Sequence, residues 1–532
     1  MKLVKASLAA ALIGVSALGL ITAMPAPTQA QGAVPVDVWA LRDVVNAVQI
    51  SPDGKHLLVH KVEGRETDYI LEIYRTDDLS KPLRRLNADP MEIIAAQWVS
   101  NDVIFGTAWQ VNRKTVKGPE EDVRDYKTYS YSLESNKFTS VDGNFGIVSL
   151  LPKEPDHVLV STGATVGDGT GVDPLAAFRP RSYYKFNLKT GARQLVLRGG
   201  GKFPVVDRWD SDGNPRFTQV QDRDSGTVAS YYRLPGDSEW KKFQEFDLND
   251  PKNLYRILGG FQGIAGFDPD NPNIGYLIDN QEGEDKAALY EFDFTTGKVG
   301  KKLFQAEDAD VMDIQLHSIP GNDKLVAARY SGRILERHWF DEEEKALYEA
   351  LEKQIPNAYQ INISSRSIDG KSMIVTNRGP HDPGSFWMVK DGKLAKLGSR
   401  NPLINADQLA DVEYIRYKAR DGRVIPAYVT KPKGTGPFPL IVLPHGGPQV
   451  NEIITYDEWG QLLANAGYMV LQPQYRMSVG WGQDHFDSAY GEHGGKMQDD
   501  KDDGALYLVE QGLVDPNRMA MFGWSYGGYA AL

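Results

Sequence analysis

From about residue 45 to residue 400 the chain alternates apolar and polar positions in short runs, each entered through a turn built on Asp, Asn or Gly. Such alternation is the signature of strands that bury one face. The turns recur as "SPDGKHLLV" at Asp53, "SNDVIFGT" at Asp102, "EPDHVLV" at Asp156, "DSDGNPRFTQV" at Asp212, "DPDNPNIGYLI" at Asp270, "PGNDKLVAARY" at Asp323 and "SIDGKSMIV" at Asp369, at intervals of 46 to 58 residues. Each of these seven units is long enough for a four-stranded sheet. Most close with a second hairpin, as in "YYKFNLKTGARQLVL" and "LYEFDFTTGKVGKKLF", where aromatic alternation gives way to a Thr-Gly turn and another strand. A sheet this small cannot bury both faces alone. Stacked face to face around an axis, the units predict a β-propeller, with seven blades preferred over six or eight.

The sixth unit breaks the alternation with "FDEEEKALYEALEKQIP". Asp341 is placed to cap a helix, Glu344 to complete a capping box, and Leu347, Leu351 and Ile355 share one face at four-residue spacing. The first-order expectation is an amphipathic helix with a solvated acidic face. A sharper one is that one or two of Glu342, Glu343 and Glu344 point into the propeller channel and bind a free ammonium group. From residue 402 the rhythm changes again. "VEYIRYKARDGRVIPAYVTKP" predicts a hairpin turning at Asp421 and Gly422. Buried strands in "FPLIVLPHGGP", "YMVLQPQYR" and "RMAMFGWSYGGYAAL" alternate with helices in "YDEWGQLLANAG" and "MQDDKDDGALYLVEQG". Strands alternating with helices predict a mainly parallel sheet covered on both faces. The expected organisation is thus a propeller over residues 45–400 and the N-terminal part of an α/β domain over 402–532.

Composition adds boundaries to this picture. A chain of 532 residues, 41% hydrophobic and 24% charged, is globular and too long for one core. Its net charge of -12, with no basic patch, argues against nucleic acid as a partner. Lys2 and Lys5, the apolar run "ASLAAALIGVSALGLITA" and the small residues "APTQA" read as a bacterial export signal over residues 1–30, cleaved after Ala30. A periplasmic or secreted protein without stable membrane insertion is therefore expected. The absence of cysteine excludes disulfides, thiolate metal sites and cysteine catalysis. "DSDGN" has its glycine at the wrong position for a calcium loop, and "VGDGTGVDP" lacks the strand-to-helix setting of a phosphate loop. No metal or organic cofactor is expected.

The chemistry concentrates at Gly523-Trp524-Ser525-Tyr526-Gly527, a G-x-S-x-G pattern between a predicted strand and a predicted helix. That spacing suits a strained turn that lifts a serine hydroxyl above the sheet, with glycines where side chains would collide. Attack on a carbonyl creates an oxyanion, for which the backbone N–H groups of Tyr526 and Gly447 are the candidate donors. His445 in the same glycine loop is expected to lie on the oxyanion side and not to act as the base.

Taken together, "LPHGGP", "PQYRMSVGWGQ", "GGKMQDD", "GLVDPNRMAMFGWSYGGYAAL" and the repeated "SPDGK" turns resemble the prolyl oligopeptidase family of serine peptidases, from about residue 35 onward. "HGGP" is similar to the acylaminoacyl-peptidase and dipeptidyl-aminopeptidase-like branch. The resemblance implies a propeller over an α/β-hydrolase domain, hydrolysis of short peptides through an acyl-enzyme on Ser525, and a propeller that limits access by size. It also implies the chain order serine, acid, histidine, which places both remaining triad members after Leu532. None of the nine histidines is expected to substitute, so the chain as it stands is expected to be inactive, with an exposed sheet edge. Two positions depart from the family pattern: Met477, where glycine is usual, and His493, where tryptophan is common. An esterase on the same scaffold and a propeller binding protein with a degenerate hydrolase remnant are the alternatives. Homo-oligomerisation is left open.

Overall fold

The computed structural model describes residues 33–64, 66–114, 122–162, 180–222 and 224–532. The export signal and the "VGDGTGVDP" stretch lie outside the described residues. Seven separate antiparallel sheets run from Val45 to Ser399, and they make a seven-bladed propeller. Blade 1 spans residues 45–86, blade 2 92–142, blade 3 145–198, blade 4 208–247, blade 5 263–304, blade 6 311–339 and blade 7 360–399. In every blade the recurrent Asp-centred turn leads into the second strand. Asp53 and Asp369 show why the motif works: each accepts from a Ser hydroxyl two residues earlier at 2.7 Å and from a backbone N–H two residues later at 3.1 Å, while Gly54 and Gly370 take φ of +73° and +71°. The "DSDGN" turn has the same job, because Asp210 accepts from Asn214 N–H and from the buried Arg216 guanidinium.

Six blades have four strands; blade 6 has three. Its chain continues into helix α1 (Glu342–Gln354) instead of a fourth strand, as the 3.6-residue period there requires. Tyr348, Leu351 and Ile355 of this helix and its end pack on Ile361, Ile363 and Val375 of blade 7. Asp341 caps α1, accepting from Glu343 and Glu344 N–H at 3.0 Å. The expected capping box does not form, because Glu344 turns inward to other partners described below. The ring closes where Val44 N–H donates to Arg400 O at 2.6 Å, where Arg400 pairs with Asp43, and across a cavity of about 210 Å³ lined by Val48, Leu57, Phe386 and Leu397.

The second domain is built on β1 (Asp411–Lys418), β2 (Val424–Lys431), β3 (Phe438–Val442), β4 (Met469–Pro473) and β5 (Val514–Met521), in the sheet order β1-β2-β4-β3-β5. The β1–β2 hairpin is antiparallel, β2 pairs antiparallel with β4, and β3 runs parallel to both β4 and β5. Helices α2 (Glu458–Asn465) and α4 (Lys496–Glu510) follow β3 and β4, a short α3 (Gln483–Asp487) lies between, and α5 (Tyr526–Ala531) follows β5. Ile425, Ala427, Val429, Leu440, Val442, Met469 and Leu471 form the core, with Ala505 and Leu508 of α4 against it. Among the described residues no helix is long and apolar enough to cross a membrane.

The two domains are joined by a buried carboxylate. Asp310, on the connection between blades 5 and 6, accepts from Tyr255 hydroxyl at 2.7 Å, from Ala287 N–H at 2.9 Å and, across the interface, from Gly482 N–H at 3.0 Å. Burial raises its pKa while these three donors oppose the shift. Its own N–H donates to Gly480 O, and nearby Lys286 donates to Trp481 O at 2.6 Å. Asp310→Ala would strand three buried donors, each costing about 1–3 kcal/mol. The expected outcome is a loss of at least about 3 kcal/mol in denaturant unfolding, with Asp310→Asn milder because its amide oxygen still accepts.

Candidate active site

The turn after β5 carries the candidate nucleophile. Ser525 takes φ 56°, ψ −121°, a left-handed conformation rare for a residue with a Cβ, and its side chain is exposed. The flanking glycines are required by contact distances. A Cβ on Gly523 would stand 2.5 Å from Gly527 C, and one on Gly527 would stand 2.1 Å from Pro444 O. The turn is therefore wedged against the glycine loop that follows β3.

Gly446 is the part of that loop that meets Ser525: a Cβ there would lie 3.3 Å from Ser525 Cβ and 3.8 Å from its hydroxyl oxygen. The sequence reading passed over this contact and named Gly447, which follows with φ +113°. Among the described residues neither Gly447 N–H nor Tyr526 N–H has a protein acceptor. Both are therefore free to serve a ligand.

His445 is committed elsewhere. Its Nδ1 lies 2.8 Å from Gly446 O and its Nε2 2.9 Å from Ser478 Oγ, while its ring stacks on Tyr475 at 4.4 Å and its carbonyl accepts from Tyr475 hydroxyl at 2.7 Å. Burial pushes its pKa down to about 4, so it is neutral at physiological pH. It braces the glycine loop.

The segment after β4 is fixed by a buried ion network. Arg476 Nε and Nη2 donate to Asp500 at 2.9 and 2.6 Å, its backbone N–H donates to Asp500 at 2.9 Å, and Nη1 reaches Asp421 at 3.0 Å. Both Arg476 and Asp500 are essentially inaccessible to solvent. Met477, the first departure from the family pattern, is buried with φ +81° and takes a hydrogen bond from Gln449 Nε2 to its sulfur at 3.3 Å. His493, the second, is exposed. It stands edge-on to the Tyr526 ring at 6.0 Å, and its carbonyl accepts from Tyr526 hydroxyl at 3.4 Å.

The three glutamates of α1 do not act as one group. Glu344 is buried and pairs with Arg366 through both oxygens, at 2.6 and 3.0 Å, with His317 Nε2 at 3.2 Å. It is corrected here from a candidate ammonium ligand to a structural ion-pair partner, since the guanidinium already satisfies it. Glu342 and Glu343 remain exposed, and Glu342 lies 3.3 Å from Lys345. Among the described residues no group of three or more His, Cys, Asp or Glu is arranged to hold a metal ion.

Residues 455–532, running from the cap of α2 through the nucleophile turn, match the prolyl oligopeptidase family. The match is confined to the second domain. Over 506 residues it is 28% identical to dipeptidyl aminopeptidase BIII of Pseudoxanthomonas mexicana, covering 91% of this chain and 67% of that protein. It is 27% identical to dipeptidyl peptidase family member 6 of Caenorhabditis elegans, covering 66% of this chain and 49% of the relative. A shorter match of 34% identity, over 22% of this chain and 16% of the relative, links it to the acylamino-acid-releasing enzyme of Rattus norvegicus. The chain thus spans about half the length of the Caenorhabditis relative and two thirds of the Pseudoxanthomonas one. Among solved structures, prolyl oligopeptidase B from Galerina marginata superposes with a TM-score of 0.60 at 12% identity, covering 93% of this chain and 70% of that one. At that identity the likeness concerns the fold alone.

The wedge between the serine turn and the glycine loop makes a direct prediction. Gly527→Ala drives a methyl group into Pro444 O and is expected to destabilise the second domain by about 3 kcal/mol or more, as overpacking against unyielding backbone does. Gly528→Ala, whose Cβ would meet Gly523 O at 3.3 Å, is expected to cost less than half of that in the same unfolding measurement.

Proposed function

We propose that the full-length protein is an exported serine peptidase acting on short peptides. The observation that carries this reading is the exposed Ser525 on its strained turn, with the glycine loop packed against it. The names of the relatives, a dipeptidyl aminopeptidase and an acylamino-acid-releasing enzyme among them, support peptide amides as the substrate class.

In the proposed reaction Ser525 Oγ attacks the scissile carbonyl as its proton passes to a histidine base. The tetrahedral oxyanion is held by Tyr526 N–H and Gly447 N–H, the C–N bond breaks, and the amine leaves with the proton. Water then cleaves the acyl-enzyme. Without a base a serine hydroxyl is a weak nucleophile. With His445 engaged by Ser478 and Tyr475, the base and its acid are proposed to come from polypeptide following Leu532, in the family's chain order. The propeller is proposed to exclude folded proteins, leaving peptides to reach the site. Glu342 and Glu343, exposed at the start of α1, are the remaining candidates for a free amino terminus.

A fluorophosphonate probe tests the core of this reading. The full-length protein is expected to be labelled at Ser525 and to hydrolyse short peptide amides, and Ser525→Ala is expected to lose both, with kcat falling by about 10⁴-fold or more. Absence of labelling in the complete protein would instead favour a binding protein with an inert hydrolase remnant. Turnover of esters but not amides would favour the esterase.

A further inference from the structure

Lys501 is completely buried, yet among the described residues its ammonium donates a single hydrogen bond, to Met497 O at 2.6 Å. A buried lysine is costly unless something nearby uses the charge. Its neighbour Asp500 is taken up by Arg476, and Asp502, on the same helix, faces solvent. What the ammonium faces is aromatic: it lies 3.9 Å from the centroid of Tyr475 and 5.3 Å from that of Tyr526. A cation over a ring face is attracted by the quadrupole, more strongly where water is excluded.

These two rings are the ones that frame the site. Tyr526 directly follows the nucleophile. Tyr475 stacks on His445 at 4.4 Å with a 19° interplanar angle, so the imidazole and the ammonium must occupy opposite faces of that ring. The Tyr475 hydroxyl donates to His445 O, and the next residue, Gly446, touches Ser525. A hydrophobic side chain of the same length would fill the space at lower cost, as isosteric replacement of buried charges commonly shows.

Resting on the peptidase reading above, we infer that Lys501 is a positioning residue for the oxyanion site: its buried positive charge, held under Tyr475 and Tyr526, favours the negative charge that develops between Tyr526 N–H and the glycine loop. The charged groups around it are Asp500 and Asp502 on its own helix, Arg476 on the segment after β4, and neutral His445 beyond Tyr475. Of these two cations Arg476 is taken up by Asp500 and Asp421, whereas Lys501 has no carboxylate partner among the described residues. Desolvation lowers its pKa to about 8, so the ammonium is held below that pH and discharged above it. The sign follows: transition-state stabilisation is present at neutral pH and fades on the alkaline side.

The test uses the full-length protein with an amino-terminally blocked peptide ester, which carries no amine of its own to titrate, over pH 6 to about 10. Wild type is expected to show kcat declining on the alkaline side with a midpoint near 8. Lys501→Met is expected to lower kcat at pH 7 by about tenfold, the effect of about 1.4 kcal/mol of lost charge stabilisation, with KM within about twofold and the alkaline limb gone. Lys501→Arg, which cannot discharge in this range, is expected to keep activity through pH 9 and guards against a Met variant that fails to fold. An alkaline limb unchanged in both variants, in a protein that turns over substrate and labels at Ser525, overturns the inference and leaves the peptidase reading standing. Wild type that neither labels nor turns over substrate removes both.

Discussion

Backbone touching backbone is the constraint on which this site depends. β3 and β5 are parallel neighbours, paired from Leu440 with Met519 to Val442 with Met521, and Phe522 N–H extends the ladder to Val442 O at 3.0 Å. Their carboxyl ends therefore emerge side by side, which is where open α/β sheets place their ligands. One end becomes the glycine loop and the other the serine turn. Glycine at 527 lets the turn reach Pro444 O, glycine at 523 lets the turn close on Gly527, and Gly446 keeps the approach to Ser525 free of a tight 3.3 Å contact; Ser525 sits in this contact with a backbone conformation rare for a residue with a Cβ.

A second feature explains how a propeller and a hydrolase sheet share one site. The run from Tyr475 to Gly482 reaches in three directions within eight residues. Tyr475 and Ser478 bind His445 and so brace the glycine loop. Arg476 binds Asp500 and ties the run to α4. Gly480 and Gly482 bind Asp310 of the propeller, and a Cβ at Gly480 would collide with Ser331 of blade 6 at 2.5 Å. A displacement of the propeller thus bears on the glycine loop through three consecutive, buried and well-hydrogen-bonded links, with no need of a long path.

The propeller was legible because each blade repeats a turn whose chemistry is local: Ser, Asp and Gly within four residues satisfy one another wherever they occur. The departure of blade 6 was legible for the same reason, since a helical period cannot sit in a strand. Glu344 was misread because its partner, Arg366, lies twenty-two residues away on blade 7 and nothing local announces it. The strained turn at Ser525 was legible from its flanking glycines, whereas the contact of Gly446 with it depended on which face of the loop meets the turn, a matter of strand order. The Arg476–Asp500 pair was present in the sequence within two of the stretches that carry the resemblance, "PQYR" and "MQDD", but that they bind each other follows only once α4 packs across the sheet.

Met477 shows how a departure from a family pattern can be weighed physically. At φ +81° a side chain costs about 1–2 kcal/mol relative to glycine. Against this, its thioether is almost wholly buried among Tyr255, Val479, Phe486 and Met497, which joins propeller and hydrolase residues in one apolar cluster. Burying a methionine side chain stabilises by about 1.5–3 kcal/mol, so packing matches or exceeds the strain. Glycine would relax the backbone and leave a gap at the seam between domains. Methionine keeps the seam filled, and its flexible side chain fits an irregular space that a branched residue would not. Methionine thus trades local backbone comfort for interdomain cohesion, at a point one residue from the guanidinium of Arg476 and two from the Tyr475 ring that stacks on His445.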